Sequence, residues 1–571
     1  MYVLGVAGLG LDERGTLGHD PAAALLKDGE IVAAAEEERF TRVKHAPGYF
    51  PYRAVKFCLD YAGIGIEQVD RIAGYWKPEL VFRNAFLHEG YYAHPVRSAK
   101  FYLLWKMYEM KYRNNIRHIA YTLEKDRAAG DALLRKFTTV EHHLCHAASA
   151  YYCSGFKDAT IVTMDGMGEN VSTLVGENAG TDVKKIIETY SPHSLGIFYT
   201  LFTEYLGFEP NEAEYKVMGL APYGKPGVKM DDLLWTGDGR VYLDKRLLGK
   251  FRFYSDYLAQ RFGPVRRENG PLEQRHKDIA YALQERLQKV SLELVKWALE
   301  KTGKRNLALA GGVCMNSKMN GMLWREAGVD DIFIQPAAGD NGTALGAALY
   351  LSAQEGCRPK KPLEHLYYGP EYSDEQMRKT LDTAKVKYEK CGDIAGEVAE
   401  LLAKGKIVGW FQGRMEFAAR ALGNRSILAD PTDASMKDKV NAAIKFREGF
   451  RPFCPSMLAE AADEYLEQPH SSPFMILTFE TPEKKQREVP AVVHVDGTMR
   501  PQTVEKHVNP KYYRLISEFE KESGVPVVLN TSFNVSGEPI VCAPKDALRT
   551  FYVSGLDYLA MGDYLVKKAA R

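Results

Sequence analysis

Ala23-Ala-Leu-Leu-Lys-Asp28-Gly29-Glu-Ile-Val-Ala33 reads as two short strands joined by an Asp28-Gly29 turn, where glycine supplies the positive φ that a tight hairpin requires. Upstream, Tyr2 to Val6 reads as a further strand. A second unit of the same kind, Thr160-Ile-Val-Thr-Met-Asp165-Gly166-Met-Gly168-Glu-Asn-Val-Ser-Thr-Leu-Val175, sets two β-rich runs around an Asp/Gly-rich turn. This recurrence predicts two similar halves. Between and after them lie helical stretches. Ile279 to Lys301 carries apolar residues three and four apart until Gly303 stops the pattern, and the β-rich run Asn306 to Leu309 then ends at Gly311-Gly312. Hairpin-bearing sheets interleaved with helices predict an α/β domain of two lobes around a cleft, an architecture that commonly holds a nucleotide.

A chain of 571 residues exceeds one compact core, so further domains are expected. The segment Gly356-Cys-Arg-Pro-Lys-Lys-Pro-Leu363 predicts a linker at about 354–367, between domains of about 1–354 and 368–571. In the second domain, Ile407 to Phe411 and Val525 to Leu529 read as buried strands, and the last 20 residues or so could join either domain. The 75 basic and 74 acidic residues leave a net charge of +1, which argues against a global attraction to nucleic acid or anionic membrane. No apolar run has membrane-spanning length, and the N-terminus lacks the features of a signal peptide, so a cytoplasmic location is expected. The eight cysteines show no C-x-x-C spacing, as expected for reduced thiols.

Glu141-His142-His143-Leu-Cys-His146 puts His142 and His146 four apart among good helix formers, so their imidazoles share a face and suit one metal ion. A rotated helix would offer His143 and His146 instead. Two histidines need at least one carboxylate, and Asp340, in Gly339-Asp340-Asn341-Gly, is the candidate; it also fits an ordinary N-cap. The turns at Asp165-Gly166-Met-Gly168 and Gly311-Gly312-Val-Cys-Met-Asn316 could approach phosphates closely or be simple turns.

These elements resemble the N-terminal domain of the NodU/CmcH/TobZ carbamoyltransferases. That domain is itself similar to TsaD proteins, within the fold class shared by actin, heat-shock chaperone ATPases and sugar kinases. The matching stretches include His19-Asp20-Pro-Ala-Ala-Ala, Ala35-Glu-Glu-Glu-Arg-Phe-Thr-Arg42 and Met218-Gly-Leu-Ala-Pro-Tyr-Gly224. The resemblance implies that His142, His146 and Asp340 hold a divalent metal, iron or manganese, and that Asp165, Gly166, Gly168, Gly311, Gly312, Asn316 and Asn341 line a nucleotide. It also implies that His19 is a catalytic base.

Beyond the linker, Gly413-Arg414-Met-Glu-Phe-Ala418-Ala419-Arg420-Ala-Leu-Gly423 and Asn441-Ala-Ala-Ile-Lys445-Phe-Arg447-Glu-Gly-Phe-Arg451 set cations mostly among small and aromatic residues. A solvated face would alternate them with acids, so an anion site is predicted, with structural salt bridges as the bland reading. His494 to Thr503 and Leu529 to Asn534 add Arg500 and a polar cluster after a strand. These runs resemble the YrdC-like domain of the same carbamoyltransferases, which implies that Arg420, Lys445, Arg451, Arg500, Asn530 and Ser532 bind carbamoyl phosphate. One departure is Ala418-Ala419, where that family's pattern more often has Gly-Pro.

The resemblance as a whole implies an enzyme that uses ATP and carbamoyl phosphate as co-substrates. It would transfer a carbamoyl group to the hydroxyl of a small-molecule acceptor, a sugar or natural product, without nucleic acid or membrane, and a homodimer stays open. A tRNA threonylcarbamoyl-transfer enzyme and a nonenzymatic ATP-binding regulator are the rivals. Tyr91, Tyr92, Trp105 and Tyr108 are candidates to contact the acceptor, or core residues.

Overall fold

The computed structural model describes residues 1–8, 19–80, 95–124, 128–180, 182–250 and 252–568. Tyr91 and Tyr92 lie outside these residues, as do the side chains of Trp105 and Tyr108. The chain divides into two compact units. Met1–Glu37 and His45–Leu363 form the first, and Glu38–Lys44 and Glu364–Arg571 form the second.

In the first unit, strands β1 (Tyr2–Ala7), β2 (Ala22–Lys27), β3 (Glu30–Glu36), β4 (Arg71–Gly74) and β5 (Phe137–Thr139) form a sheet in the order β3-β2-β1-β4-β5. The β2–β3 turn places Asp28 and Gly29 both in left-handed conformation, as its hairpin geometry demands. A second sheet contains β6 (Thr160–Gly168), β7 (Val171–Ala179) and β8 (Asp182–Tyr190). After a separate hairpin of β9 (Leu234–Gly237) and β10 (Arg240–Leu243), β11 (Asn306–Ala310) and β12 (Asp331–Ile334) complete it in the order β12-β11-β6-β7-β8. Numbered from its own first strand, each sheet runs 3-2-1-4-5. Its first three strands are antiparallel, and the fourth and fifth are added in parallel. The predicted duplication is therefore present down to strand order.

Two helices fix the heart of this unit, His142–Ser154 and Asn341–Gln354. The second is rich in Gly and Ala, and a Cβ on Gly346 would stand 1.9 Å from the carbonyl oxygen of Cys145 in the first. Only a residue without a side chain permits this approach, which draws the start of one helix toward the start of the other. The stretch read as a linker is fastened to the same unit: Leu363 N–H donates to Cys153 O at 2.8 Å, and Lys360 N–H to Glu30 Oε1 at 2.9 Å.

The second unit is α/β, built on an eight-stranded sheet of order β13-β22-β21-β14-β15-β20-β16-β19. Its strands are β13 (Tyr388–Lys390), β14 (Val408–Phe411), β15 (Arg425–Ala429), β16 (Cys454–Leu458), β19 (Gln502–Val504), β20 (Val527–Ser532), β21 (Tyr558–Met561) and β22 (Tyr564–Lys567). A two-residue ladder of β17 (Phe479–Glu480) and β18 (Thr498–Met499) stands apart. The last two strands thus belong to this unit. So does the strap Glu38–Lys44, although it comes from the N-terminal end of the chain. Arg39 Nη2 donates to Ala418 O at 2.9 Å, and Arg42 donates to Ile540 O at 2.6 Å and Pro539 O at 2.8 Å. Phe40 packs on Met415, Ile540 and Cys542.

Among the described residues no helix is long and apolar enough to cross a membrane. All eight cysteines are free.

Candidate active site

The helix His142–Ser154 is buried along its whole length, and its first turn brings the Nε2 atoms of His142 and His146 to 3.1 Å. Asp165, on β6, sets Oδ2 3.3 Å from His142 Nε2. Asp340 Oδ1 lies 3.6 Å from His142 Nε2 and 4.0 Å from His146 Nε2. One ligand atom from each of the four falls within 4.8 Å of all the others. Two ring nitrogens this close and this buried cannot both present lone pairs across the gap, so a proton or a cation must lie between them. For a proton, the balance is uneven. Burial lowers His142, but the charge of Asp340 and the hydrogen bond to Asp165 outweigh it and raise the ring to about 9. Burial and the His142 charge drive His146 well below the ordinary value. Two imidazoles and two carboxylates are equally a donor set for a divalent transition ion, so the residues fit a metal.

His143 turns away. Its Nε2–H donates to Val171 O at 3.0 Å, which leaves Nδ1 to accept from the Thr163 hydroxyl at 2.6 Å, and burial lowers the ring to about 4. Asp340 occupies the N-cap position of Asn341–Gln354, yet its side chain makes no capping hydrogen bond. Its carboxylate faces the histidines instead.

Among the residues read as nucleotide-lining, Asp165 stands with the donor cluster, and its Oδ1 also accepts Gly312 N–H at 2.9 Å. Gly168 abuts His142: a Cβ there would be 2.2 Å from the ring. Gly311 is left-handed beside Met164, and Gly166 has open space above it. Asn316 exchanges two hydrogen bonds with Gln284 and caps the helix Ser317–Glu326, while Asn341 Nδ2 donates to Glu36 at 3.2 Å. The structure does not bring those two amides to the cluster. Sequence reasoning passed over Glu169, whose buried carboxylate accepts the backbone N–H of Lys77 at 2.6 Å and of His142 at 3.0 Å. Burial raises it to about 8 despite those bonds. Its position directly after Gly168 was the only signal.

His19 Nδ1 lies 2.9 Å from Asp20 Oδ2, and His45 Nδ1 lies 2.7 Å from Asp20 Oδ1. The His19 side chain is 48% exposed. Burial opposes its charge, but the Asp20 hydrogen bond and the charges of Asp340, Asp20 and Asp165 outweigh it and raise the ring above its ordinary value. Asp20 is pushed up by burial, but the charge of His45 and the two ring hydrogen bonds hold it well below the usual carboxylate range.

In the second unit, strand β20 carries Asn530 and Ser532 two apart, hence on one face. Lys445 ends a single π-turn, Asn441–Lys445, and its buried ammonium donates to Ser532 O at 2.6 Å and Asn534 Oδ1 at 2.8 Å. Burial, with the charges of Arg447 and Arg451, lowers it well below the ordinary lysine value. These crowded cations favour an anion beside them. Arg451 has Glu448 at 3.9 Å. Arg420 sits in a loop held by Glu416, whose Oε1 accepts backbone N–H groups of Leu422, Asn424 and Arg425 at 2.7, 2.8 and 3.2 Å. Asn530 Nδ2 donates to Ala421 O in the same loop at 3.2 Å and to Ser456 Oγ at 2.9 Å. Arg500 directs Nε and Nη2 at Cys454 Sγ, 3.2 and 2.9 Å away, and Cys454 pairs with Asn530 across the β16–β20 ladder. Glu416, Asn534 and Cys454 were not singled out from sequence. Glu416 and Asn534 lay inside the quoted runs, whereas Cys454 stood only among the counted cysteines.

One α/β unit carries the imidazole–carboxylate cluster and the other the gathered cations. Comparison with known proteins gives the class. The family model for the carbamoyltransferase N-terminus matches residues 9–349, and that for the carbamoyltransferase C-terminus matches residues 399–568. The chain belongs to the carbamoyltransferase family. Nodulation protein NolNO of Sinorhizobium fredii (strain NBRC 101917 / NGR234) is 41% identical over 571 residues, covering 98% of this chain and 80% of that protein. Uncharacterized protein sll1178 of Synechocystis sp. is 40% identical, covering 97% and 96%. Nodulation protein NolO of Bradyrhizobium diazoefficiens is 40% identical, covering 75% and 79%.

Proposed function

We propose that this carbamoyltransferase works in two stages, first making carbamoyl adenylate and then passing its carbamoyl group to a hydroxyl of a small-molecule acceptor, a sugar or natural product. In the first stage carbamoyl phosphate binds among Arg420, Lys445, Arg451, Arg500, Asn530 and Ser532. Water releases phosphate and carbamate, and a carbamate oxygen attacks the α-phosphorus of ATP and expels pyrophosphate. In the second stage the acceptor oxygen attacks the carbamoyl carbon, AMP leaves, and His19 takes the acceptor proton. The adenylate would lie among Gly166, Gly168, Gly311, Gly312, Asn316 and Asn341. His142, His146, Asp340 and Asp165 would hold a divalent metal, iron or manganese. When bound, it supplies Lewis-acid polarisation and offsets phosphate charge.

The observation that carries this reading is the crowding of Lys445 by Arg447 and Arg451 beside Ser532, an arrangement that an anionic substrate relieves. The near-neutral net charge disfavours the tRNA-modifying alternative. The test is pyrophosphate release from ATP by metal-loaded protein, with and without carbamoyl phosphate. Release that does not depend on carbamoyl phosphate, or no release, sinks the proposal. Arg420→Ala should lose this release by about 100-fold, as expected when an electrostatic partner of the reacting group is removed. Asp340→Asn should keep it while losing bound metal, measured by elemental analysis. Equal loss of pyrophosphate release in both variants would overturn the division of labour between the units.

A further inference from the structure

We propose that Asp20 and His45 are positioning residues for the His19 imidazole, one carboxylate gripped by two rings so that His19 presents a single fixed nitrogen to the acceptor. The inference rests on the reading of His19 as the base. A carboxylate with both neighbours at hydrogen-bond distance accepts from each, so the proton of a neutral His19 ring sits on Nδ1 and the lone pair on Nε2. Nε2 has no hydrogen-bond partner among the described residues, and the side chain is half exposed. The arrangement matches what a proton-accepting ring needs from its support, a set tautomer and a set orientation.

The backbone gives an independent reason to single out His45. Asp20 and His45 are both left-handed, with φ of 55° and 58°, and neither is glycine. They face each other through reciprocal bonds, because Asp20 N–H donates to His45 O at 2.9 Å while the His45 ring donates to the Asp20 carboxylate at 2.7 Å. Two strained residues kept where glycine would be easier point to a use for their side chains. On its far side His45 Nε2 lies 3.6 Å from Glu212 Oε1, too long for a hydrogen bond. The chain that leads to the acceptor is therefore His45–Asp20–His19, in which only His19 would touch substrate.

The test uses the full-length protein labelled with 15N-histidine, with the His19 signals assigned through His19→Gln. Long-range 1H–15N correlations report which ring nitrogen carries the proton. We expect the Nδ1–H form in the parent protein, a mixture of tautomers in Asp20→Asn and His45→Phe, and recovery in His45→Asn, whose amide N–H can replace the ring donor. A parallel assay follows AMP formation from ATP and carbamoyl phosphate with water as the acceptor. His45→Phe should slow it by about 10-fold or more and His45→Asn should restore most of it, with the Michaelis constant for carbamoyl phosphate unchanged. If His19 keeps the same tautomer in His45→Phe, the role of His45 is overturned; if it does so in Asp20→Asn, the carboxylate clamp falls too. Should His19→Gln leave AMP formation unaltered while the tautomer responds as expected, the reading of His19 as the base fails and the clamp stands.

Discussion

Ala418 holds a conformation at odds with its chemistry. It is fully buried with φ of 142°, a region suited to glycine, and its carbonyl is held by Arg39. The strain costs about 1–3 kcal/mol. Ala418→Gly relieves it but loses a buried methyl, about 0.8 kcal/mol, and adds unfolded-state entropy of about 0.5–1 kcal/mol. The substitution should therefore be neutral within about 1 kcal/mol by denaturant unfolding. Ala429→Gly, equally buried in β15, has no strain to relieve and should cost about 1.5 kcal/mol. Equal losses in the two variants would show that Ala418 carries no strain. The Gly-Pro preference at 418–419 in the family pattern hinted at this, because glycine is favoured where φ is positive. Other residue-scale features were illegible. Glu416 gathers three backbone amides, and Cys454 meets Arg500, only through folding that no local spacing encodes.

Elements were more legible than contacts. Asp28-Gly29 and the β-rich runs around Asp165 announced their hairpins because alternation and turn chemistry are local. The i,i+4 spacing put His142 and His146 on one face for the same reason. It could not say that Asp165 joins them, because β6 reaches the helix through tertiary packing. The crossing of His142–Ser154 with Asn341–Gln354 is where element and site meet. Gly346→Ala would stabilise an isolated helix by about 1 kcal/mol. Here the methyl would press on the Cys145 carbonyl, so we expect the reverse, a loss of about 1–3 kcal/mol by thermal or denaturant unfolding. Bound metal should fall with it, since Asp340 begins one helix and His142 the other. A stabilised Gly346→Ala protein would contradict the close crossing.

For the whole molecule, the two units do not follow two consecutive lengths of sequence. The compact units part after Leu363, and the membership of Glu38–Lys44 in the second was not legible in the sequence, because its partners are more than 370 residues away. Phe40→Ala should therefore weaken the unit that is remote in sequence. Hydrogen exchange should rise in β14 and β15 of the full-length protein, with a loss of about 2 kcal/mol for removing a partly buried aromatic ring from its contacts. Faster exchange confined to β1–β5 would contradict the assignment of the strap.

That strap also sets a clock on biosynthesis. Arg39, Phe40 and Arg42 leave the ribosome long before Pro539 and Ile540 exist to receive them. At elongation rates of about 5–20 residues per second the wait is roughly 25–100 s. Through that interval the nascent chain carries an aromatic and two arginines with no docking place, so its second unit closes only after synthesis has passed Ile540.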